Sequence, residues 1–125
     1  MAEPVCGPWL RLLAPISFWG GVDPTTGRVV EEAHPSYGAS LAGTILYLPG
    51  ARGSSSGSSV LGELLRIGLG PRALVLAEPD GVLAVGAFVA EELYGVRCPV
   101  LVTRDVPDVP DGAIVRVADG RVTTV

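Results

Sequence analysis

Lysine is absent from this chain: all nine basic side chains are arginine. That removes Schiff-base chemistry and the Walker A phosphate loop, both of which need an amine. Histidine occurs once, at His34, and cysteine twice, at Cys6 and Cys98. So few soft ligands hold neither a structural zinc ion nor an iron–sulfur cluster, so no metal is expected on this chain. Two widely separated cysteines fit buried free thiols in a reducing cytosol better than a disulfide. Positive charge is also scarce: nine arginines face thirteen acidic residues, a net charge of −4, and no arginine cluster forms the basic stripe that nucleic acid requires. The longest apolar run, Val82 to Ala90, falls well short of the roughly 20 residues that span a bilayer. No basic segment followed by an apolar stretch and a cleavage site opens the chain. These absences exclude nucleic-acid binding and membrane insertion and predict a cytoplasmic protein.

What is present is a rich core: 48% of residues are apolar and 18% charged, which excludes a disordered chain. A length of 125 residues predicts one domain over 1–125. Seventeen glycines and eleven prolines come at intervals and punctuate it. The first quarter reads as loop, with short strands around Trp9–Leu13 and over Gly27–Glu31. The β-branched and apolar run Thr44–Leu48, stopped by Pro49-Gly50, predicts a buried strand. Val60, Leu61, Leu64, Leu65 and Leu69 repeat at helical spacing until Gly68, Gly70 and Pro71. Ala73–Ala77 reads as a strand, Val82–Leu93 as a mostly buried helix ended at Gly95, and Pro99–Thr103 as a third strand. Ala113–Val117 and Val122–Val125 flank Asp119-Gly120 and predict a hairpin. The fold class is therefore α/β, with a β-α-β-α-β core that favours parallel strands and β-hairpins flanking it.

The most informative stretch lies between the first core strand and the first helix: Pro49-Gly50-Ala51-Arg52-Gly53-Ser54-Ser55-Ser56-Gly57-Ser58-Ser59. A helix start carries unpaired N–H groups and a partial positive charge of roughly half a unit. Glycine lets backbone approach a ligand, serine adds hydroxyls, and Arg52 adds a permanent charge with a planar fork. Together they describe a site for a carboxylate or phosphate. Plain capping needs one serine, and here five of six positions are serine. Gly53-Ser54-Ser55-Ser56-Gly57 also fits the nucleophile-elbow pattern of hydrolases, but the only histidine lies upstream and no triad base follows. A serine acts as a base without histidine only if positive potential holds its alkoxide, lowering its pKa by several units.

Pro15-Ile16-Ser17-Phe18-Trp19-Gly20-Gly21-Val22-Asp23-Pro24 with Thr26-Gly27 resembles the signature of the aconitase X small subunit, or swivel domain. The resemblance continues through His34-Pro35, Leu48-Pro49, Arg52-Gly53-Ser54-Ser55-Ser56, Glu78 and Glu92-Leu93-Tyr94, spanning roughly residues 14–103. It implies a swivelling β/β/α domain that closes over the active site of a larger subunit, forming a heterodimer. It implies dehydration of a small-molecule hydroxy acid, with an iron–sulfur cluster carried by cysteines of that large subunit and no cofactor on this chain. Ser54 is then the base, and Arg52, Gly53, Ser55 and Ser56 bind the substrate carboxylate, with Gly21 and Asp23 at the same mouth. Family activities include dehydration of cis-3-hydroxy-L-proline and of phosphomevalonate, and the Arg52–Ser56 and Glu92–Tyr94 stretches lean toward the former. Ala51 departs from the family's usual glycine, and the stretch before Pro15 is short for a family that ordinarily opens with an additional strand. The reading from another class is a non-catalytic anion-binding module built on the same loop.

Other residues carry plainer expectations. His34 is expected to make a loop-stabilising hydrogen bond rather than carry a phosphoryl group. Phe18 and Trp19 are expected as core anchors, with a partner contact as the alternative. Asp23 suits an active-site carboxylate and an Asx turn equally. Asp105, Asp108 and Asp111 fit no calcium-loop spacing and read as an exposed connector.

Overall fold

A computed structural model describes residues 3–50 and 56–125. Along the chain run β1 (Val5–Arg11), α1 (Phe18–Gly21), β2 (Ile45–Leu48), α2 (Gly57–Arg66), β3 (Ala73–Leu76), α3 (Gly81–Tyr94), β4 (Val100–Val102), β5 (Ile114–Ala118) and β6 (Arg121–Thr124). They form one six-stranded sheet in the order β4-β3-β2-β1-β5-β6. Strands β1 to β4 pair parallel, and β5 pairs antiparallel with both β1 and β6. Each step from β1 through β4 moves the same way across the sheet, so right-handed crossovers put the 12–44 segment, α2 and α3 on one face.

Period-two alternation sorts the strand residues. Leu10, Leu46, Leu48, Leu74 and Leu76 face the helices, where Leu61, Leu64, Leu83 and Ala90 meet them. Trp9, Ile45, Tyr47, Ala73 and Val75 face the other way, against Val115, Val117 and Val122 of the C-terminal hairpin. Every residue of β2 and β3 is buried, as covering both faces requires. Each such leucine is worth roughly 1.5–3 kcal/mol over its exposed state.

The expected core elements are present. Gly95, left-handed at φ 68°, ends α3, and Gly68 at φ 81° follows the end of α2. Asp119 (φ 53°) and Gly120 (φ 73°) make the two-residue turn between β5 and β6, both in the conformation that matches strand twist. The strand expected over Gly27–Glu31 is reduced to two isolated bridges, Val22 with Val29 and Arg28 with Ser40. This segment folds over the helix-side core and not into the sheet, with Val29 and Leu41 buried there. The first strand begins at Val5, earlier than Trp9, and sits between the parallel and antiparallel halves.

The cysteines differ from expectation: Cys98 is buried, whereas Cys6 is exposed, and both are free. Cys6 lies on β1 and Cys98 just before β4, three strand spacings or roughly 14 Å away. They can share neither a disulfide nor a metal. Burial pushes the Cys98 thiol up to about 12. A folded-state pKa raised in this way favours the fold below the thiol's ordinary range, and that contribution is lost as pH rises toward 12. Iodoacetamide at pH 8 is therefore expected to label Cys6 in the native chain and Cys98 only after denaturation. Equal labelling rates by mass spectrometry contradict this burial.

Candidate functional site

The helix-side layer is ordered α1, α2, α3, and its informative end lies where β2 and β3 finish. Ligands in open α/β sheets collect at the carboxyl ends of the strands, because the following helices point their N-termini there. Two long helices start on this edge and treat their N-termini differently. In α3, Asp80 is the N-cap and its Oδ1 accepts from the Leu83 N–H at 3.0 Å. Asp80 thus closes the helix with its own carboxylate. In α2, the N-cap Ser56 has helical dihedrals (φ −63°, ψ −16°) and makes no side-chain cap hydrogen bond. Among the described residues the first turn of α2 carries no carboxylate, which suits an anion near its positive end.

Ser54, Arg52, Gly53 and Ser55, the expected base and three of its neighbours, lie outside the described residues, as does Ala51. Their two flanks are described. Gly50 follows β2 and lies beside the Pro15 ring. Gly57 opens α2 with Phe18 on one side and Val82 of α3 on the other, 3.6 and 3.7 Å from where its Cβ would stand. The described flanks, Gly50 and Gly57, therefore meet the signature segment around Pro15–Phe18 and the start of α3.

Gly21 and Asp23 lie on the α1 side of this opening. Gly21 is buried, donating its N–H to the Ser17 carbonyl (3.1 Å) and accepting from the Val30 N–H (2.9 Å). A Cβ there would stand 2.8 Å from Ile16, so close packing explains the glycine. Asp23 Oδ1 accepts from the Thr25 hydroxyl (2.7 Å) and the Thr25 N–H (2.8 Å). These bonds, the hydroxyl first, hold its carboxyl below the usual range, and of the two expected roles the geometry matches the Asx turn. Phe18 is buried as a core anchor; Trp19, expected beside it, is 63% exposed. Trp19 has a non-helical ψ of 111° and Gly20 has φ 86°, so the α1 turn is broken and the indole points outward. There it borders an apolar groove of about 460 Å³ shared with Val22, Pro24, Val30 and Val60 of α2. The sequence signal was the glycine pair after Trp19, which permits that break.

His34 is buried, with Nε2 donating to the Ala14 carbonyl at 2.9 Å and Nδ1 accepting from the Ser36 N–H at 2.9 Å. Both ring nitrogens are engaged, which fits the loop-stabilising role and opposes phosphoryl transfer. Asp111 accepts from the Arg11 N–H at 2.9 Å, tying the 105–111 connector to β1. Among the described residues no group of three His, Cys, Asp or Glu side chains could hold a metal ion, and no helix is long and apolar enough to cross a membrane. An iron–sulfur cluster does not fit this chain's donors, since a buried protonated thiol and a distant exposed one are a poor ligand set.

Comparison with known proteins bears on this architecture. The chain matches the model of the aconitase X swivel domain over residues 1–125. It is 53% identical to a cis-3-hydroxy-L-proline dehydratase of Pseudomonas aeruginosa over 85 residues, 68% of this chain and 15% of that one. It is 41% identical to the phosphomevalonate dehydratase small subunit of Methanothrix thermoacetophila over 121 residues, 86% of this chain and 88% of that one. The holo form of aconitase X from Thermococcus kodakaraensis aligns with a TM-score of 0.84 and 31% identity, covering 99% of this chain and 92% of the other. The chain thus spans about 15–20% of the length of the first two curated relatives, the second being a cis-3-hydroxy-L-proline dehydratase of Hypocrea jecorina at 43% identity. A parallel β-α-β-α-β core, the Pro15–Pro24 segment beside the α2 start, and the agreement over all 125 residues have one reading: this chain belongs to the aconitase X swivel-domain family.

Proposed function

We propose that this chain is the swivelling part of an aconitase X-type hydro-lyase, supplying the base and the carboxylate site while a larger subunit supplies the rest. The observation that carries the reading is the start of α2, whose first turn holds no acidic residue and which follows Arg52 and three successive serines in the sequence. Arg52 and the amides of Gly53, Ser55 and Ser56 hold the substrate carboxylate. Ser54, as alkoxide, takes the proton from the carbon next to it. The electron pair released forms the new double bond and expels the hydroxyl of the neighbouring carbon as hydroxide on the side the partner closes; that hydroxide and the proton taken by Ser54 together make the water released, which restores the alkoxide. Gly21 and Asp23 shape the flank of this mouth by fixing the 17–30 segment. The iron–sulfur cluster implied by the resemblance belongs, on this reading, to the large subunit.

The substrate is cis-3-hydroxy-L-proline, a reading supported by the 53% identity to a dehydratase of that name. Phosphomevalonate is the second reading, favoured by the 121-residue alignment to a small subunit acting on it. The test is to assemble the chain with the large subunit and assay both compounds. Turnover of cis-3-hydroxy-L-proline alone is expected; turnover of phosphomevalonate alone reverses the assignment. Binding of carboxylates by a complex that dehydrates neither supports the non-catalytic module.

A further inference from the structure

We infer that the solvent face of α3 is a docking surface for the catalytic body of the enzyme, separate from the mouth at the start of α2. The inference rests on the function proposed above. From Gly81 to Ala90 the helix carries no charged side chain, yet only Leu83, Gly86, Ala87 and Ala90 are buried. Val85, Phe88, Val89, Leu93 and Tyr94 are all exposed, Phe88 by 65% and Leu93 by 68%. A helix apolar all round is one that is covered on all sides. On α2, by contrast, the outward positions hold the Glu63–Arg66 ion pair, as a solvated face should.

The exposed apolar strip amounts to on the order of 500 Å², within the range of the largest apolar patch on a typical monomer, which is often a functional surface. It is more than half of the roughly 800 Å² each partner gives to a stable complex. Beside it, α2 and α3 approach closely at Gly62 and Gly86, leaving a groove of about 370 Å³ between Ser59, Val85, Val89 and Tyr94. Its lining is mixed, with Val85, Val89 and Tyr94 on the α3 side and Ser58, Ser59 and Glu63 on the α2 side, so it suits a side chain with an apolar stem and a polar or basic tip.

The occupant is a large polypeptide and not a second copy of this chain. In the cis-3-hydroxy-L-proline dehydratases this domain accounts for only 15–20% of the length, so most of each protein is a body that the domain must rest against. Two copies each carrying −4 repel, and Glu91 and Glu92 border the strip, so the complementary surface is apolar with a basic rim. Val82, at the first turn of α3, lies beside Gly57, so a body seated on α3 also lies beside the α2 start.

The test uses the full chain and the catalytic large subunit, expressed separately and mixed, with association measured by calorimetry. Phe88→Asp and, independently, Leu93→Asp are expected to weaken association roughly 100-fold or more. The melting temperature and circular dichroism of the chain alone should stay unchanged, because both side chains are exposed. Ile114→Asp, an exposed apolar position on β5, should bind like wild type. Wild-type association that survives both α3 substitutions overturns this inference alone. Failure of the wild-type chain to bind the large subunit overturns the proposed function with it. A chain that self-associates through α3, with the substitutions breaking only that dimer, also contradicts the inference.

Discussion

Replacing Ser54 with alanine in the assembled enzyme is expected to lower kcat by roughly 10²–10⁴-fold, the usual worth of a positioned general base. The substrate KM should change little, because the carboxylate is held by Arg52 and the loop amides and not by the Ser54 hydroxyl. Arg52→Gln should raise KM and lower kcat together, because the same charge holds the carboxylate and stabilises the Ser54 alkoxide. The size of the effect follows from how hard the alkoxide is to make. A helix end contributes up to about 2 kcal/mol to a nearby anion, equivalent to about 1.5 units of pKa. A serine needs several units. The remainder must come from the Arg52 charge and from exclusion of water when the partner closes, which strengthens both. The isolated chain is accordingly expected to be inactive. Association of the Ser54→Ala chain with its partner should match wild type. Near-normal turnover by that complex removes Ser54 from the base role.

Gly86→Val should destabilise the isolated chain by about 3 kcal/mol, with a fall in melting temperature on the order of 10 °C. Glycine in a helix interior costs about 1 kcal/mol against alanine, so its place in α3 requires a packing reason. A Cβ at Gly86 would stand 2.8 Å from the Ser58 carbonyl oxygen and 3.1 Å from the Ser58 Cα. These are backbone atoms, which cannot swing aside as a flexible side chain does. Relief requires α2 to move away from α3, and Ser58 is two residues from the N-cap Ser56. The same substitution should therefore lower kcat in the complex at temperatures where the chain remains folded. Gly86→Ala should fall between, its helix preference offsetting part of the clash. A valine variant melting within about 2 °C of wild type contradicts so close a crossing.

Most of the core was legible because its elements are strongly patterned. Ile45–Leu48 and Ala73–Leu76 are fully apolar between glycine and proline stops, and the Val60–Leu65 spacing admits only a helix. Asp119-Gly120 named its own turn. The N-terminal third was not legible, because its order comes from long-range contacts. Val29 and Leu41 are held by the helix-side core, and His34 by Ala14, twenty residues away. Trp19 was misread for a local reason: a large aromatic beside Phe18 reads as core until the break at Gly20 turns it outward. Cys6 was misread because it falls at an outward position of a strand whose register no short pattern fixes. At the candidate site the loop chemistry was readable from composition, as was the signature that meets its described flanks. The contrast between α3, capped by Asp80, and α2, with no carboxylate cap, needed coordinates.

The claim on which the account rests is that a serine hydroxyl after Arg52-Gly53, ahead of α2 in the sequence, removes the proton next to the substrate carboxylate. The most direct measurement is release of deuterium to solvent from cis-3-hydroxy-L-proline deuterated at that carbon, with wild-type and Ser54→Ala chains each bound to the large subunit. The account predicts that release falls in step with turnover in the alanine complex while substrate affinity is kept. Release at the wild-type rate from the alanine complex contradicts it.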